Sequence, residues 1–366
     1  MEPLKNLYNT AFFDSLTSVI KSVVPSFKKK EFLEAVRNSE WQSKELKQRV
    51  RQVSITLKDF LPGNYEKQVE VICKVTRRLQ KSESDVHFAY ICLPDFIEVH
   101  GLEDIQTSLD AFEIITQFIS CEFAVRPFLL NDPHTVMKRI LAWSKHDNQN
   151  VRRFSSEGCR PRLPWGKAMP AFIKDPSAIL PVLENLKDDP SPFVRKSVAN
   201  NINDIARDHP DIILKLVKRW KGHSKNTDWI LKHGSRTLLK KADPEIYKLF
   251  GLSGSHDCEI KHFQLDKKSL AIGETLTLDF TITNMAKRSQ LFRVELGVYY
   301  MKSNGKGTRK LFKITENNFK PDTPYPFKRK ISFKDLTTRK HYAGKHAVSI
   351  VINGKEIETK HFNVRE

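Results

Sequence analysis

The hydrophobic pattern changes period once, near residue 254, and that change divides the chain into a helical region and a strand region. Before it, apolar residues recur at threes and fours, as in Leu109, Phe112, Ile115, Phe118 and Ile119, which is the spacing of one helix face. Asp-Pro pairs at Asp132-Pro133, Asp175-Pro176, Asp189-Pro190 and Asp243-Pro244 punctuate the segments. After Ser255 the alternation is of period two. It predicts strands over 259–265, 275–283, 291–301, 309–315, 330–333, 347–352 and 356–364. Asn304-Gly305 and Asn353-Gly354 lie between such runs and read as tight hairpin turns. Seven short strands in this length fit an immunoglobulin-like sandwich, without the Cys…Trp…Cys core of antibody domains. Residues 251–255, with two glycines, read as the linker.

The helical region contains an internal repeat. His146 to Arg153 resembles Lys187 to Lys196: in both, a polar Asp/Asn turn leads into Val-Arg-basic and a helix. Val151 and Val194 stand 43 residues apart, and a degraded third copy begins near Lys225. A period near 40 with paired helices is the HEAT signature. The expected architecture is therefore a mostly α HEAT-like repeat solenoid over 1–252, followed by an all-β immunoglobulin-like sandwich over 256–366.

Charge narrows the partners. The chain has 366 residues and a formal charge of +19. Residues 255–366 hold 22 Lys and Arg against 12 Asp and Glu, while the longer helical region holds 40 against 31. The strand domain is thus the more basic per residue, with clusters at 302–310, 328–330 and 339–341 that suit DNA better than a protein partner. No run of about 18 apolar residues exists, so no membrane span is expected, and the N-terminus lacks the apolar core of a secretory signal. Five widely spaced cysteines point to free thiols in a reducing cytoplasm. The phosphate-binding GxxxxGK[ST], the dinucleotide GxGxxG, HExxH and CxxC are all absent, which leaves carboxylate chemistry with no metal, no nucleotide and no other cofactor as the enzymatic option.

Three carboxylates stand out. The stretch 150–166 packs Arg152, Arg153, Glu157, Arg160, Arg162 and Trp165 together, with Gly158 expected to end the helix and two prolines forcing an extended turn. Arginines on a helix start and a rigid loop suit phosphate oxygens, and Trp165 could offer its face to a cationic base. The plainer alternative is an Arg153–Glu157 pair at i,i+4 and a Trp packed between repeats. Glu122 falls on the apolar stripe of its expected helix, either poised by desolvation or simply paired with Arg126 at i+4. Asp204 ends a polar stripe with Ser197 and Asn201, preceded by Arg195 and Lys196, which is either a DNA-facing or a solvated helix face.

The segments 151–166 and 194–205 resemble the AlkC branch of the HEAT-like-repeat DNA glycosylases, relatives of AlkD, over nearly the whole chain. The resemblance implies a monofunctional glycosylase that removes cationic 3-methyladenine and 3-methylcytosine from duplex DNA in base excision repair, without full base flipping. It also implies a bacterial, nucleoid-associated monomer. By motif, Glu157 and Trp165 match active-site positions, and Glu122 and Asp204 match on less distinctive flanks. Cys159 stands where a small polar residue is expected. Arg152, Arg153, Arg160, Arg162, Lys167, Arg195, Lys196, Asn200 and Asn201, with Lys306, Arg309 and Arg339 in the strand domain, form the implied DNA-contacting set. The alternative from a different class is a non-catalytic HEAT scaffold or DNA binder, which accounts for the charge but not for the carboxylates.

Overall fold

The computed structural model describes residues 2–82, 88–252, 257–305, 307–336 and 339–366. Lys306 and residues 253–255 of the expected linker lie outside that set. The chain forms two compact units, one of residues Met1–Ile213 with Arg219–Gly234, the other of Leu214–Lys218 with Ser235–Glu366.

The helices of the first unit are α1 (Thr10–Val23), α2 (Lys29–Val36), α3 (Leu46–Phe60), α4 (Tyr65–Ser82), α5 (Cys92–His100), α6 (Ile105–Ile115), α7 (Val125–Asn131), α8 (Pro133–Trp143), α9 (Gln149–Gly158), α10 (Pro170–Lys174), α11 (Leu180–Leu186), α12 (Pro192–Ile205) and, beyond α13 (Pro210–Trp220), α14 (Lys225–Gly234). They stack in sequence order: α9 packs on α12 and α12 on α14. Val151, Phe154, Val194, Val198 and Ile202 are buried in those contacts. The repeat has a physical cause. Arg152 Nη1 donates to the carbonyls of His146 (2.9 Å) and Asp147 (2.7 Å). One repeat later Arg195 Nη1 donates to those of Asp189 (2.8 Å) and Pro190 (2.7 Å). Each Arg therefore satisfies the carbonyls of the turn that enters its own helix, groups that would otherwise lack partners. Arg152 also binds Asp189 of the next repeat through Nε at 2.6 Å, and Ser191 Oγ donates to Gln149 at 2.6 Å, which pins neighbouring turns together.

The second unit carries α15 (Arg236–Lys240) and α16 (Pro244–Leu249), then β1 (Cys258–Leu265), β2 (Ser269–Ala271), β3 (Thr275–Asn284), β4 (Gln290–Met301), β5 (Gly307–Phe319), β6 (Pro324–Ser332), β7 (Gly344–Ile352) and β8 (Lys355–Arg365). A three-stranded sheet, β1-β3-β6, and a five-stranded sheet, β2-β8-β7-β4-β5, enclose one core that includes Leu276, Phe280, Phe292, Val294, Val298, Val348 and Ile350. The architecture is the immunoglobulin-like one expected, with eight strands rather than seven. The added strand is β2, three residues parallel to the end of β8, too short to show alternation. The expected strand 330–333 proves to be only the end of β6, which begins at Pro324. Its prolines disguise it, yet β6 is a sheet edge, where a missing backbone donor can be tolerated. Asn353 and Gly354, at φ 46° and 79°, form the two-residue turn between β7 and β8. β4 is buried on both faces, because Arg293 and Glu295 pair (2.6 Å) on the side away from the core. Tyr247 of α16 lies in the field of that pair, and burial with Glu295 nearby pushes its hydroxyl up to about 12.

Candidate active site

The loop after α9 is shaped by one buried cation. Gly158 closes the helix where a side chain could not fit, since a Cβ there would lie 2.9 Å from Val125. Arg126, fully buried on α7, then donates to three carbonyls of the following loop: Gly158 (2.9 Å), Arg160 (3.0 Å) and Lys167 (2.5 Å). Its guanidinium lacks a carboxylate partner in the ion pairs of the described residues, and burial lowers it to about 10. The loop held in this way turns at Trp165, which adopts φ 67°, a left-handed conformation that costs a bulky residue about 1–2 kcal/mol. The Trp165 carbonyl accepts from Lys47 Nζ at 2.6 Å, and its side chain is 60% exposed. Of the two readings of Trp165, packing between repeats is excluded, and an aromatic face held open to solvent at a conformational cost is what the fold provides.

Beside this loop the three carboxylates and two guanidinia alternate. Glu122 pairs with Arg153 at 2.5 Å, and Arg153 reaches Glu157 at 3.8 Å. Glu157 pairs with Arg160 at 2.6 Å, and Arg160 Nε bonds Asp204 at 2.9 Å. Hydroxyls complete the shell: Ser197 donates to Glu157 (2.5 Å), and Ser120 to Glu122 (2.9 Å) while accepting from Arg153 (2.8 Å). The side chains of Glu157, Arg160 and Asp204 are each only 7% exposed, and those of Glu122 and Arg153 are 15% exposed. With every group ionised the row carries one net negative charge inside a strongly basic chain. Burial raises the Asp204 carboxyl, although the Arg160 hydrogen bond opposes the rise. For Arg160, burial works against the charge, but the Asp204 hydrogen bond and the field of Glu157 more than offset it and hold the guanidinium up.

Glu122 is not on a helix, as its spacing suggested, but in the turn between α6 and α7. There it meets Arg153 rather than Arg126. The i+4 partner is unavailable because Arg126 is spent on loop carbonyls. The remaining implied contacts divide by burial. Arg152 and Arg195 stitch repeats as described. Asn201 is fully buried and donates to the Ser156 carbonyl at 2.9 Å. Arg162 forks onto Asp208 at 3.1–3.2 Å. Arg153 also stacks over Phe193 at 4.7 Å. Lys167 and Lys196 are exposed and Asn200 is half-buried. In the second unit Arg309 bonds Glu356 at 3.3 Å and Arg339 lies 5.3 Å over the Tyr300 ring. Sequence reasoning missed the organising roles of Arg126, Lys47, Ser120 and Ser197. For Arg126 alone a signal existed, a charge inside the apolar run 123–130.

Comparison with known proteins agrees with both units. The family pattern described as DNA alkylation repair enzyme matches residues 102–238, and that of the C-terminal Ig-like domain of YhaZ matches 259–366. The chain is 41% identical over 367 aligned residues, all of both chains, to the uncharacterized protein YhaZ of Bacillus subtilis. It is 33% identical, again over the full length of both, to the alkylpurine DNA glycosylase AlkC of Pseudomonas fluorescens, solved bound to DNA containing an abasic site analog, with a TM-score of 0.93.

Proposed function

Because the chain belongs to the DNA alkylation repair family that includes AlkC, we propose that it hydrolyses the N-glycosidic bond of cationic alkylated bases, 3-methyladenine and 3-methylcytosine, in duplex DNA. The observation that carries this reading is the buried row Glu122–Arg153–Glu157–Arg160–Asp204 beside an exposed, left-handed Trp165. A 3-alkylated base is already positive, so it leaves with the bonding electron pair and needs no general acid. The sugar is left as an oxocarbenium-like cation. A site of net charge −1, held without reorganisation, stabilises that charge more than it stabilises the neutral sugar, which lowers the barrier. Water then adds to C1′, and its proton passes to a carboxylate; Glu157 is assigned that role. Arg153 and Arg160 keep the carboxylates ionised near neutral pH. Their own pKa values are too high for them to act as amine nucleophiles, and Lys47 is engaged with the Trp165 carbonyl, so the reaction is monofunctional. Trp165 stacks on the sugar or the cationic base from outside, so the nucleotide need not flip fully.

Duplex DNA is held by exposed cations, Lys167 and Lys196 with Asn200 beside them and the basic residues of the strand unit, and the protein acts as a monomer among the DNA of the nucleoid. No helix of the described residues is long and apolar enough to cross a membrane. The test is chromatography of bases released from methylated duplex DNA. Glu157→Gln should lower release at least about 100-fold, the scale of one lost electrostatic stabiliser, with duplex affinity within about threefold of the parent. Release of no base by the parent protein, with strong lesion-independent duplex binding, would establish the scaffold alternative instead.

A further inference from the structure

On the other side of Trp165 lies a cavity of about 210 Å³ that the mechanism does not use. Its walls come from α3, α5, the turn before α7 and the loop at 165–167, and include Val50, Ile91, Pro94 and Phe123. Three features make it more than a gap. First, it adjoins the carboxylate row: Ser120, which bonds Glu122 and Arg153, also lines the cavity. Second, Trp165 and Lys167 stand at one edge, so an aromatic face is available to a flat ligand. Third, its polar end is under-satisfied. Arg51 pairs with Asp95 (3.0 Å) and Glu98 (2.7 Å), but Asp95 Oδ2 is buried with no hydrogen-bond partner. The nearby Ser54 hydroxyl bonds the Val50 and Cys92 carbonyls. Burial raises the Asp95 carboxyl to about 6, against the pull of Arg51. A buried acceptor without a partner costs about 1–3 kcal/mol, a deficit that a ligand's N–H would relieve.

Resting on the glycosylase reading, we propose that this cavity is a product seat: it takes one planar heterocycle bearing an exocyclic amino group, stacked by Trp165, with that amine given to Asp95. The volume is below the range of about 300–1,000 Å³ typical of drug-sized ligands, so a single heterocycle is the appropriate class. A base enters after the glycosidic bond breaks, when nothing tethers it, and so the seat requires no flipped nucleotide. Carboxylates accept from the amine of cytosine-type edges, and a carbonyl at the same position would be repelled.

The test is calorimetric titration of the full chain, without DNA, with free 3-methyladenine and with 3-methylhypoxanthine, which has the same rings and a carbonyl in place of the amine. The expected result is binding of 3-methyladenine with at least about tenfold preference, the worth of one charge-assisted hydrogen bond. Leu46→Trp, at a half-buried wall position, should abolish binding of both, with circular dichroism unchanged. Asp95→Asn, which keeps the shape, should reduce the preference severalfold, and it serves should the larger substitution not fold. Absence of binding at millimolar base, equal binding of the two bases, or a preference unchanged in Asp95→Asn overturns the seat. Base release from methylated DNA is measured in parallel. Release without binding removes the seat alone, and binding without release removes the glycosylase reading alone.

Discussion

Arg160 is the one cation shared by two of the buried carboxylates, and its removal tests the site's electrostatics most directly. In Arg160→Met the stem volume is kept, while Glu157 and Asp204, both 7% exposed, lose their common partner. Breaking a buried pair on one side costs about 3–5 kcal/mol, because the remaining charge is stranded. For a unit of this size that corresponds to a fall in Tm of roughly 6–20 °C at pH 7.5. The penalty must depend on pH. Burial already raises the Asp204 carboxyl, and without Arg160 it rises further, so acid protonates the stranded group and relieves the cost. Differential scanning calorimetry of both proteins between pH 5 and pH 8 should show their transitions converge as the pH falls. Base release by the variant should be strongly reduced even where it is folded, since a protonated Asp204 stabilises no cation. A Tm within about 2 °C of the parent at pH 7.5, or a deficit of constant size across the range, would falsify the picture of an interior row of mutually stabilised charges.

Three further outcomes follow from particular side chains. Trp165→Gly should raise stability by about 1 kcal/mol, since the left-handed backbone is relieved and a 60% exposed ring gives up little burial; base release should fall at the same time, and a loss of stability would contradict the strained-loop account. Lys196→Gln should lower the salt slope of duplex binding by about 0.9 with Tm unchanged, whereas Arg152→Gln, whose guanidinium is occupied by Asp189 and two carbonyls, should lower Tm and leave the slope alone. Asp95 titrates at about 6 in the folded chain and near 3.9 unfolded, so its contribution is favourable below about pH 4 and is lost as pH rises through 6. Asp95→Asn does not titrate, and it should therefore gain about 1–3 kcal/mol on the parent between pH 4 and pH 7.5, measured as the change in their Tm difference.

What could be read from the sequence was what has a period. The switch from three-and-four spacing to alternation marked the two architectures, and the Val-Arg segments marked the repeat, because both arise from local rules of burial. The β6 edge was largely lost, since Pro324 and Pro326 suppress the strand pattern and only sheet position excuses them. Glu122, Glu157, Asp204 and Trp165 were recognised by motif, yet their geometry was not legible. Pairing Glu122 with Arg126 followed from helix spacing; the turn at 119–124 and the demand of three loop carbonyls decided otherwise. Arginines that suggested phosphate contacts, Arg152 and Arg195, turn out to be bound by backbone oxygens of their own turns. Sequence shows that a cation is present, and only packing shows whether it is already neutralised.

The repeat also explains how a site could arise in a stacking scaffold. In the 43-residue register Arg152 corresponds to Arg195, and the two make equivalent bonds to the turns that precede them. Arg153 corresponds to Lys196 and Glu157 to Asn200, so at these positions the two copies diverge. In the later copy the cation is exposed and Asn200 is half-buried. In the earlier copy both have become members of a buried charge row, completed by Ser197 and Asp204 from the later helix and by Glu122 from the turn before α7. A stacked pair of helices brings such positions face to face at fixed spacing, and its stability comes from Val151, Val194, Val198 and Ile202, which are buried away from the charges. The division lets the polar positions change without loss of the stack. The cost of burying five charges is met by their alternation, and the single negative charge left over is what a cationic sugar can use.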